Sequence, residues 1–231
     1  MKTKKFEKHI NPENCKLQLP AASTFKVPLA VMAFDAKVLK NEKEVLRWDG
    51  VQRKPEWDHD QNAQSWMKDS VVWFSQRLTP KLREWRLKKY LKKFNYGNQN
   101  LSGGITEAWL MPPNAIGTPL SISAYEQVDF MSKLWSDQLP VSHRAQRLTR
   151  EITFLETSPK SFKLSGKTGS SFYDKKNNIR LGWFIAHLEG GGKEYIVVTN
   201  FSDLKPSPEQ EFGGLKSKEI TKAILNDMGL W

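Results

Sequence analysis

The stretch Pro20-Ala21-Ala22-Ser23-Thr24-Phe25-Lys26-Val27-Pro28 opens an apolar run that continues to Val38. The run predicts a buried helix over residues 25–38. Residues three apart lie about one turn apart on the same face of a helix. We therefore expect the Lys26 amine within reach of the Ser23 hydroxyl, where it can take the proton that keeps a serine weakly nucleophilic.

A lysine acts as a base near neutral pH only when its pKa falls from the ordinary value of about 10.4. Burial in an apolar site disfavours the ammonium form and lowers that pKa. The sequence predicts such a site, because apolar residues surround Lys26 along the chain: Phe25, Val27, Leu29 and Val31. The alternative for an isolated Ser-x-x-Lys motif is a surface serine at a helix start with a solvated lysine one turn on.

The Ser-x-x-Lys motif is weak by itself. With 18 serines and 27 lysines among 231 residues, chance placement gives about two matches. The chain has three, at Ser23/Lys26, Ser65/Lys68 and Ser202/Lys205. The second pair lies among polar residues and the third in a proline-rich loop, so only the first pair fits a buried site.

Three further motifs follow the first in a fixed order: Ser70-Val71-Val72, Tyr96-Gly97-Asn98 and Lys167-Thr168-Gly169. The pairing of Ser-x-x-Lys with Lys-Thr-Gly is found among penicillin-recognising serine enzymes. Four motifs in this order are much more specific than any one of them.

The Lys-Thr-Gly motif is expected on a strand that begins at residues 162–164. Such a strand presents Lys167 and the Thr168 hydroxyl to an anionic ligand group, and Gly169 lets a ligand backbone approach closely. The amides of Ser170 and Ser23 can supply two hydrogen bonds to an oxyanion. The alternative for this tripeptide alone is a glycine-containing bend at a strand edge.

Four stretches together resemble the class D (oxacillinase-type) serine β-lactamases of the penicillin-recognising superfamily. The similarity runs from about Pro20 to the C-terminus, and the Ser-Thr-Phe-Lys and Tyr-Gly-Asn forms are fairly specific to that class. The four stretches are residues 20–28, 96–104, 165–169 and 182–185.

The resemblance implies a role for each motif residue. Ser23 is implied as the acylated nucleophile, and Lys26, carbamylated by CO2, as the general base. Ser70 is implied to relay a proton to the leaving nitrogen, and Trp109 to hydrogen-bond the carbamate. No metal or other cofactor is implied. The residues implied to bind substrate or line its site are Val72, Tyr96, Asn98, Lys167, Thr168, Gly169, Ser170 and Lys216.

The N-terminal part departs from the family pattern. Only 22 residues precede Ser23, and residues 1–9 are basic and polar, so no signal peptide is expected in this chain. Family members usually have a signal peptide and sheet strands before the nucleophile. Either the sequence is truncated or its N-terminal edge strands are missing. By resemblance, the location is periplasmic or secreted.

Three more departures concern the site and the cysteines. The family carries a carboxylate-binding arginine near the start of its last helix, where this chain has Lys216 and Lys218 instead. The loop over residues 111–119 is long, and a long loop near a site alters access. Cys15 is the single cysteine, which excludes an internal disulfide and a multi-cysteine metal site.

The net charge of +11 is concentrated in one stretch between Lys81 and Lys93. Apolar residues interleave with the basic ones at helical spacing, which favours an amphipathic helix with a solvated basic face. The alternative is attraction to anionic lipid or nucleic acid. Apolar residues at this spacing include Leu82, Trp85, Tyr90, Leu91 and, directly after the stretch, Phe94.

The layout predicts an α+β fold: an antiparallel sheet formed at both chain ends, flanked by helices, with a helical subdomain between. We expect a single β-lactamase/transpeptidase-like domain over residues 1–231, with a mixed α/β part at 1–50 and 139–231 and a helical part at 51–138. Residues 182–188 and 194–200 predict strands joined by Gly190-Gly191-Gly192. A capping box at Ser123 predicts a helix through Trp135.

The last helix is expected to bury a stripe of Ile220, Ala223, Ile224 and Met228 and to end at Gly229. No apolar run approaches the length of a membrane span. The four histidines are scattered without ligand spacing, so no metal site is expected. They are His9, His59, His143 and His187.

These observations predict a serine β-lactamase that clears a Ser23 acyl-enzyme with water. A penicillin-binding sensor or transpeptidase-like domain, acylated without turnover, is the first alternative. A decayed scaffold that binds ligands or anionic surfaces is the second. The expected partners are β-lactam molecules and no nucleic acid, with a monomer or homodimer as the oligomeric state.

Overall fold

The apolar run after Ser23 forms helix α1, Lys26–Asp35, in which all residues but the last are buried. The predicted helix is therefore confirmed. It ends before Val38 because the chain turns at Lys37, which takes a left-handed backbone conformation. Most of α1 lies in the largest hydrophobic core.

The structure, a computed structural model, describes most of the chain. The loop that we expect to be long, at residues 111–119, lies outside the described residues, and so does the lysine of the Ser202/Lys205 pair. The described residues are 8–110, 120–174, 179–203 and 213–231.

Four antiparallel strands in the order β3-β4-β5-β6 form the main sheet. The strands predicted on either side of Gly190-Gly191-Gly192 are confirmed as β5 and β6, and β5 is buried along most of its length. The bounds are Phe154–Thr157 for β3, Lys163–Asp174 for β4, Ile179–Gly190 for β5 and Lys193–Asp203 for β6.

The expectation of sheet strands at both chain ends is wrong for residues 8–110. There the chain adds only β1, Leu19–Pro20, which pairs with β2, Ser121–Ile122, in a separate two-stranded sheet. β1 is short because a 3-10 turn, Ala22–Phe25, begins directly after Ala21. The predicted fold class, an antiparallel sheet with flanking helices and a helical part, is confirmed.

Four helices occupy the middle of the chain, and side-chain caps fix two of their starts. Asn62 and Ser123 each form a capping box with the residue three positions on, which confirms the helix predicted from Ser123 to Trp135. The four helices are α2 (Ala63–Lys68), α3 (Val72–Leu82), α4 (Glu84–Phe94) and α5 (Ala124–Trp135).

The remaining helices cover the core and the sheet. α6, His143–Ile152, packs against α1, and α7, Gly214–Asp227, packs across β5 and β6. None of the helices in the described residues is long and apolar enough to cross a membrane. The predicted division into a mixed and a helical part stays a prediction.

The predicted buried stripe of α7 is wrong. Ala223 and Met228 are exposed, and the helix instead turns its small residues toward the sheet. Small side chains let the helix axis approach the strands, and the hydroxyls of Thr221 and Thr199 share a hydrogen bond of 2.7 Å. The buried residues of α7 are Gly214, Ser217, Thr221 and Leu225.

Candidate active site

Ser23 lies in the 3-10 turn that leads directly into α1, and Lys26 is the first residue of that helix. The Lys26 Nζ donates a hydrogen bond of 3.1 Å to the Ser23 Oγ. Lys26 has no exposed surface, whereas Ser23 is partly exposed. The structure thus brings these two groups together as their spacing predicts.

Two buried lysines in this region have pKa values below the ordinary value, and that of Lys26 is lowered more strongly. Burial lowers the pKa of Lys26 well below its ordinary value, and the positive charge of Lys167 lowers it further, so the neutral amine is favoured. Burial lowers the pKa of Lys167 to about 8, while the negative charge of Asp69 opposes that change. At pH 7 Lys167 is therefore still mostly charged, and the site combines a base with a cation.

At Gly169, strand β4 runs beside the 3-10 turn that contains Ser23. A Cβ atom at position 169 would lie 3.1 Å from the Cγ2 atom of Thr24, which is tighter than normal packing. The sequence interpretation was that Gly169 lets a ligand backbone approach. In the structure the group that approaches is the protein's own turn at Ser23 and Thr24, so glycine lets β4 pack closely against that turn.

The next residue of β4, Ser170, connects the site to α7. Its Oγ accepts a hydrogen bond of 3.1 Å from the backbone nitrogen of Gly214. Lys216 lies in the first turn of α7, exposed, with its Nζ 3.2 Å from the Glu219 carboxylate. The other candidate, Lys218, is ion-paired to strand β3. A substrate-binding role for Lys216 stays a prediction.

Ser70 lies between α2 and α3 with a left-handed backbone conformation, φ +58°. A residue other than glycine in this conformation costs roughly 1–2 kcal/mol. Two indole groups fix the adjoining backbone: Trp57 Nε1 donates to the Asp69 carbonyl, and Trp73 Nε1 donates to the Trp57 carbonyl, each over 2.9 Å. We call this pair of hydrogen bonds the Trp57–Trp73 brace.

Trp109 lies against the start of α1. Its ring stacks on Phe25 with centroids 5.2 Å apart, and the residue is 1% exposed. Its Nε1 is buried and has no hydrogen-bond partner among the described residues. An unpaired buried N–H is costly, so this group is suited to an acceptor that the described residues do not supply. Val72 is half-buried at the start of α3, and its predicted place in the substrate site stays a prediction.

The Tyr96-Gly97-Asn98 motif packs against the turn that carries Ser23. Tyr96 is fully buried with its ring edge against Phe25, centroids 6.0 Å apart, and burial raises the pKa of its hydroxyl. The Asn98 Oδ1 accepts a hydrogen bond of 3.0 Å from the backbone of Ser121. Direct substrate binding by Tyr96 and Asn98 stays a prediction, and their positions in this structure favour a framework role.

Gln127 belongs to none of the sequence motifs, yet its buried Nε2 donates a hydrogen bond of 2.9 Å to the Thr24 hydroxyl. That hydroxyl donates in turn to the carbonyl of Ala21, so the network fixes both sides of Ser23. A signal was present, because Gln127 interrupts the otherwise apolar buried face of α5. The Trp57–Trp73 brace was also missed, and it carries no comparable signal in the sequence.

No group of three or more potential metal ligands occurs in the ranges that the structure describes. His187 is buried and stacks on Trp135 at 4.7 Å, and burial lowers its pKa to about 4. A neutral ring in this position contributes packing. The chemistry that the site offers is therefore that of a serine, a neutral amine and a nearby lysine cation.

Comparisons with known proteins agree with this arrangement. The penicillin binding protein transpeptidase domain family matches residues 2–226. β-Lactamase OXA-1 of Escherichia coli is 35% identical over 228 residues, which are 95% of this chain and 79% of OXA-1. The probable β-lactamase YbxI of Bacillus subtilis (strain 168) is 34% identical over 209 residues, which are 90% of this chain and 71% of YbxI.

Solved structures show the same similarity. The class D β-lactamase YbXI from Nostoc superposes with a TM-score of 0.85 at 30% identity, over 96% of this chain and 88% of that one. The class D β-lactamase BAT-2 superposes with a TM-score of 0.83 at 31% identity, over 96% of this chain and 86% of that one.

Proposed function

Because the chain belongs to the penicillin-binding transpeptidase-domain family and, within it, to the class D β-lactamases, we propose that it hydrolyses β-lactams through a Ser23 acyl-enzyme. The observation that carries this proposal is the hydrogen bond of 3.1 Å from the fully buried Lys26 amine to the Ser23 hydroxyl. A neutral amine held there can accept the proton that the hydroxyl must lose before it attacks.

Acylation breaks the amide bond of the β-lactam ring. The Ser23 Oγ bonds to the carbonyl carbon while its proton passes to the base at Lys26. The carbonyl oxygen becomes an oxyanion, for which the backbone N–H groups of Ser23 and Ser170 are the proposed donors. Collapse of this intermediate breaks the C–N bond, and Ser70 relays the proton to the leaving nitrogen.

Deacylation needs a base that accepts a proton from water, and we propose a carbamate on Lys26 for this step. A neutral lysine nitrogen bonds to the carbon of CO2 and releases a proton, which converts a potential cation into an anionic base. Two observations support this modification: burial lowers the pKa of Lys26, and the buried Trp109 N–H lacks an acceptor in the described residues. Trp109 would hold the modified lysine and Val72 would pack against it.

Substrate binding is proposed for the β4 side of the site. β-Lactams carry a carboxylate, and the mostly charged Lys167 and the Thr168 hydroxyl lie together, with the Lys167 Nζ 3.3 Å from the Thr168 Oγ1. Ser170 is exposed on the same strand and is linked to α7, where Lys216 supplies a further cation. Lysine lacks the bidentate fork of arginine, so weaker carboxylate binding than in arginine-bearing relatives is expected.

A sensor or transpeptidase-like domain shares the acylation groups but not the hydrolytic step. Nitrocefin followed for many turnovers distinguishes the two: a linear steady state supports hydrolysis, and one stoichiometric burst without a steady state refutes it. Intact mass after penicillin treatment is expected to show an adduct that Ser23→Ala removes. Absence of both adduct and turnover in the folded protein would leave a non-enzymatic scaffold.

The matched control is the second Ser-x-x-Lys pair. Lys68 lies on the exposed side of α2, three positions after Ser65. Lys68→Met is expected to retain nitrocefin turnover, whereas Lys26→Met abolishes it. We further propose a periplasmic or secreted location and a monomer or homodimer.

A further inference from the structure

The basic stretch at Lys81–Lys93 is divided between two helices at Arg83, which has a left-handed backbone with φ +65°. The second of them, α4, has two distinct faces. Its buried face follows the helical spacing i, i+3, i+4, i+7, and the opposite face follows the same spacing from Trp85. The buried residues are Leu87, Tyr90, Leu91 and Phe94, and the opposite, exposed residues are Trp85, Lys88, Lys89 and Lys92.

Trp85 occupies the centre of this exposed face. Trp85 is 55% exposed, whereas the other apolar residues of α4 are buried. The guanidinium of Arg86 lies 5.0 Å from the centroid of its ring, which orients the indole on the surface. An indole combines a large apolar ring with an N–H donor, and such side chains prefer the boundary between water and lipid.

Three of the four cations around Trp85 have no acidic partner in the described part of the chain. Lys88 pairs with Glu84 at 2.6 Å, but Arg86, Lys89 and Lys92 have no carboxylate within salt-bridge distance among the residues that the structure describes. Three other helices each carry a cation that is paired with a carboxylate within one turn. The pairs are Lys133 with Asp129, Arg147 with Glu151 and Lys216 with Glu219. The α4 face therefore carries an uncompensated positive charge.

The helix presents this face without any rearrangement. The hydroxyl of Tyr90 donates a hydrogen bond of 2.7 Å to the Asp35 carboxylate, which anchors α4 to α1. Lys93 reaches the carbonyl of Pro140 at 3.5 Å, which anchors the other end. The apolar side of α4 is thus committed to the core, and only its basic side and Trp85 are available to a partner.

We propose that the exposed face of α4 docks on the surface of an anionic lipid bilayer. The cations attract headgroup phosphates, and Trp85 inserts among the headgroups as a single apolar anchor. The exposed side chains all project from one helix, and a bilayer surface can accept such a face. Single-stranded nucleic acid would be expected to use several stacking rings along a groove, and this face has one.

The test is cosedimentation of the whole protein with vesicles at low salt. We expect binding to phosphatidylcholine vesicles that contain phosphatidylglycerol, and none to phosphatidylcholine alone. Binding should fall as salt rises, because the headgroup attraction is screened. Each cation removed from the face should weaken binding by about fivefold. Lys89→Glu/Lys92→Glu should therefore abolish binding, and Trp85→Ser should weaken it while leaving the salt dependence intact.

The control variant is Lys160→Glu/Lys193→Glu, which makes the same change in net charge at two exposed lysines away from α4. It should retain most of the binding, and circular dichroism should show that all variants are folded. Equal binding by the α4 and control variants would attribute the effect to net charge alone and overturn the proposal. Binding to duplex or single-stranded DNA without binding to anionic vesicles would overturn it as well.

Discussion

Gly169 of β4 lies against the nucleophile itself: a Cβ atom at this position would stand 3.3 Å from the backbone nitrogen of Ser23. That nitrogen is one of the two proposed oxyanion donors. The strand that carries the Lys-Thr-Gly motif and the turn that carries the serine are therefore in direct backbone contact.

Gly169→Ala should push β4 away from Ser23 and Thr24. A displacement of this kind misaligns the nucleophile and the donors, so we expect kcat/KM for nitrocefin to fall by about a hundredfold. Gly103→Ala is the matched control, because its added methyl meets Ala108 only at an ordinary 3.4 Å. Steady-state kinetics and thermal denaturation should be measured for both, and equal activities would contradict the role of the close contact.

Lys26→Met should change how stability depends on pH. The unfolded chain protonates lysines up to their ordinary pKa, whereas burial lowers the pKa of Lys26 well below that value and that of Lys167 to about 8. The unfolded state then binds more protons above pH 8, so the free energy of unfolding should rise with pH. Each such lysine contributes a slope of about 1.4 kcal/mol per pH unit, and Lys26→Met should remove one.

Urea denaturation between pH 8 and pH 10 in CO2-free buffer measures this slope. Lys68→Met is the control, since Lys68 is exposed. An unchanged slope in Lys26→Met would show that the amine is not neutral in the folded protein.

Trp109→Phe should retain the stacking on Phe25 but lose the buried N–H. If that N–H binds a carbamate on Lys26, its loss should weaken CO2 uptake about tenfold to a hundredfold. The variant should need correspondingly more bicarbonate to regain nitrocefin turnover after acid treatment. Labelling with ¹³CO2 should give a carbamate signal in the wild type and none in Lys26→Met. Indifference of the wild type to bicarbonate would exclude the modification.

Trp57→Phe tests the Trp57–Trp73 brace, because phenylalanine keeps a ring but cannot donate to the Asp69 carbonyl. We expect kcat to fall about fivefold, the effect of one hydrogen bond, with KM unchanged. Trp48→Phe removes an equivalent indole bond, of 3.1 Å to the Val51 carbonyl, within a loop. It should leave kcat unaltered. Equal kcat in the two variants would mean that the brace does not position Ser70.

Local patterns in the sequence predicted much of the fold. The capping box at Ser123, the glycine turn between β5 and β6, and the Ser23/Lys26 pair each depend on residues a few positions apart. The geometry of such features follows from helix or strand periodicity alone. The same periodicity predicted that the Lys26 amine reaches the Ser23 hydroxyl, and the structure has that hydrogen bond.

Features that depend on tertiary packing were missed or wrong. Trp57 and Asp69 meet across a loop, and no periodicity connects them. In α7 the aliphatic stripe at Ile220 and Ile224 indicated the buried face, but close packing on a sheet favours small residues such as Ser217 and Thr221. Trp85 is a related case, since hydrophobicity alone does not separate an exposed aromatic side chain from a core residue.

Because Ser70 has a left-handed backbone, its proposed catalytic role and the stability of the turn favour different residues at this position. Glycine adopts that conformation without strain, so Ser70→Gly would relax the turn by about 1 kcal/mol and remove the hydroxyl that catalysis is proposed to need. A search for thermostable variants would therefore be drawn toward an inactive protein at this residue. The serine that is proposed to relay the proton therefore occupies a backbone conformation that glycine would adopt with less strain.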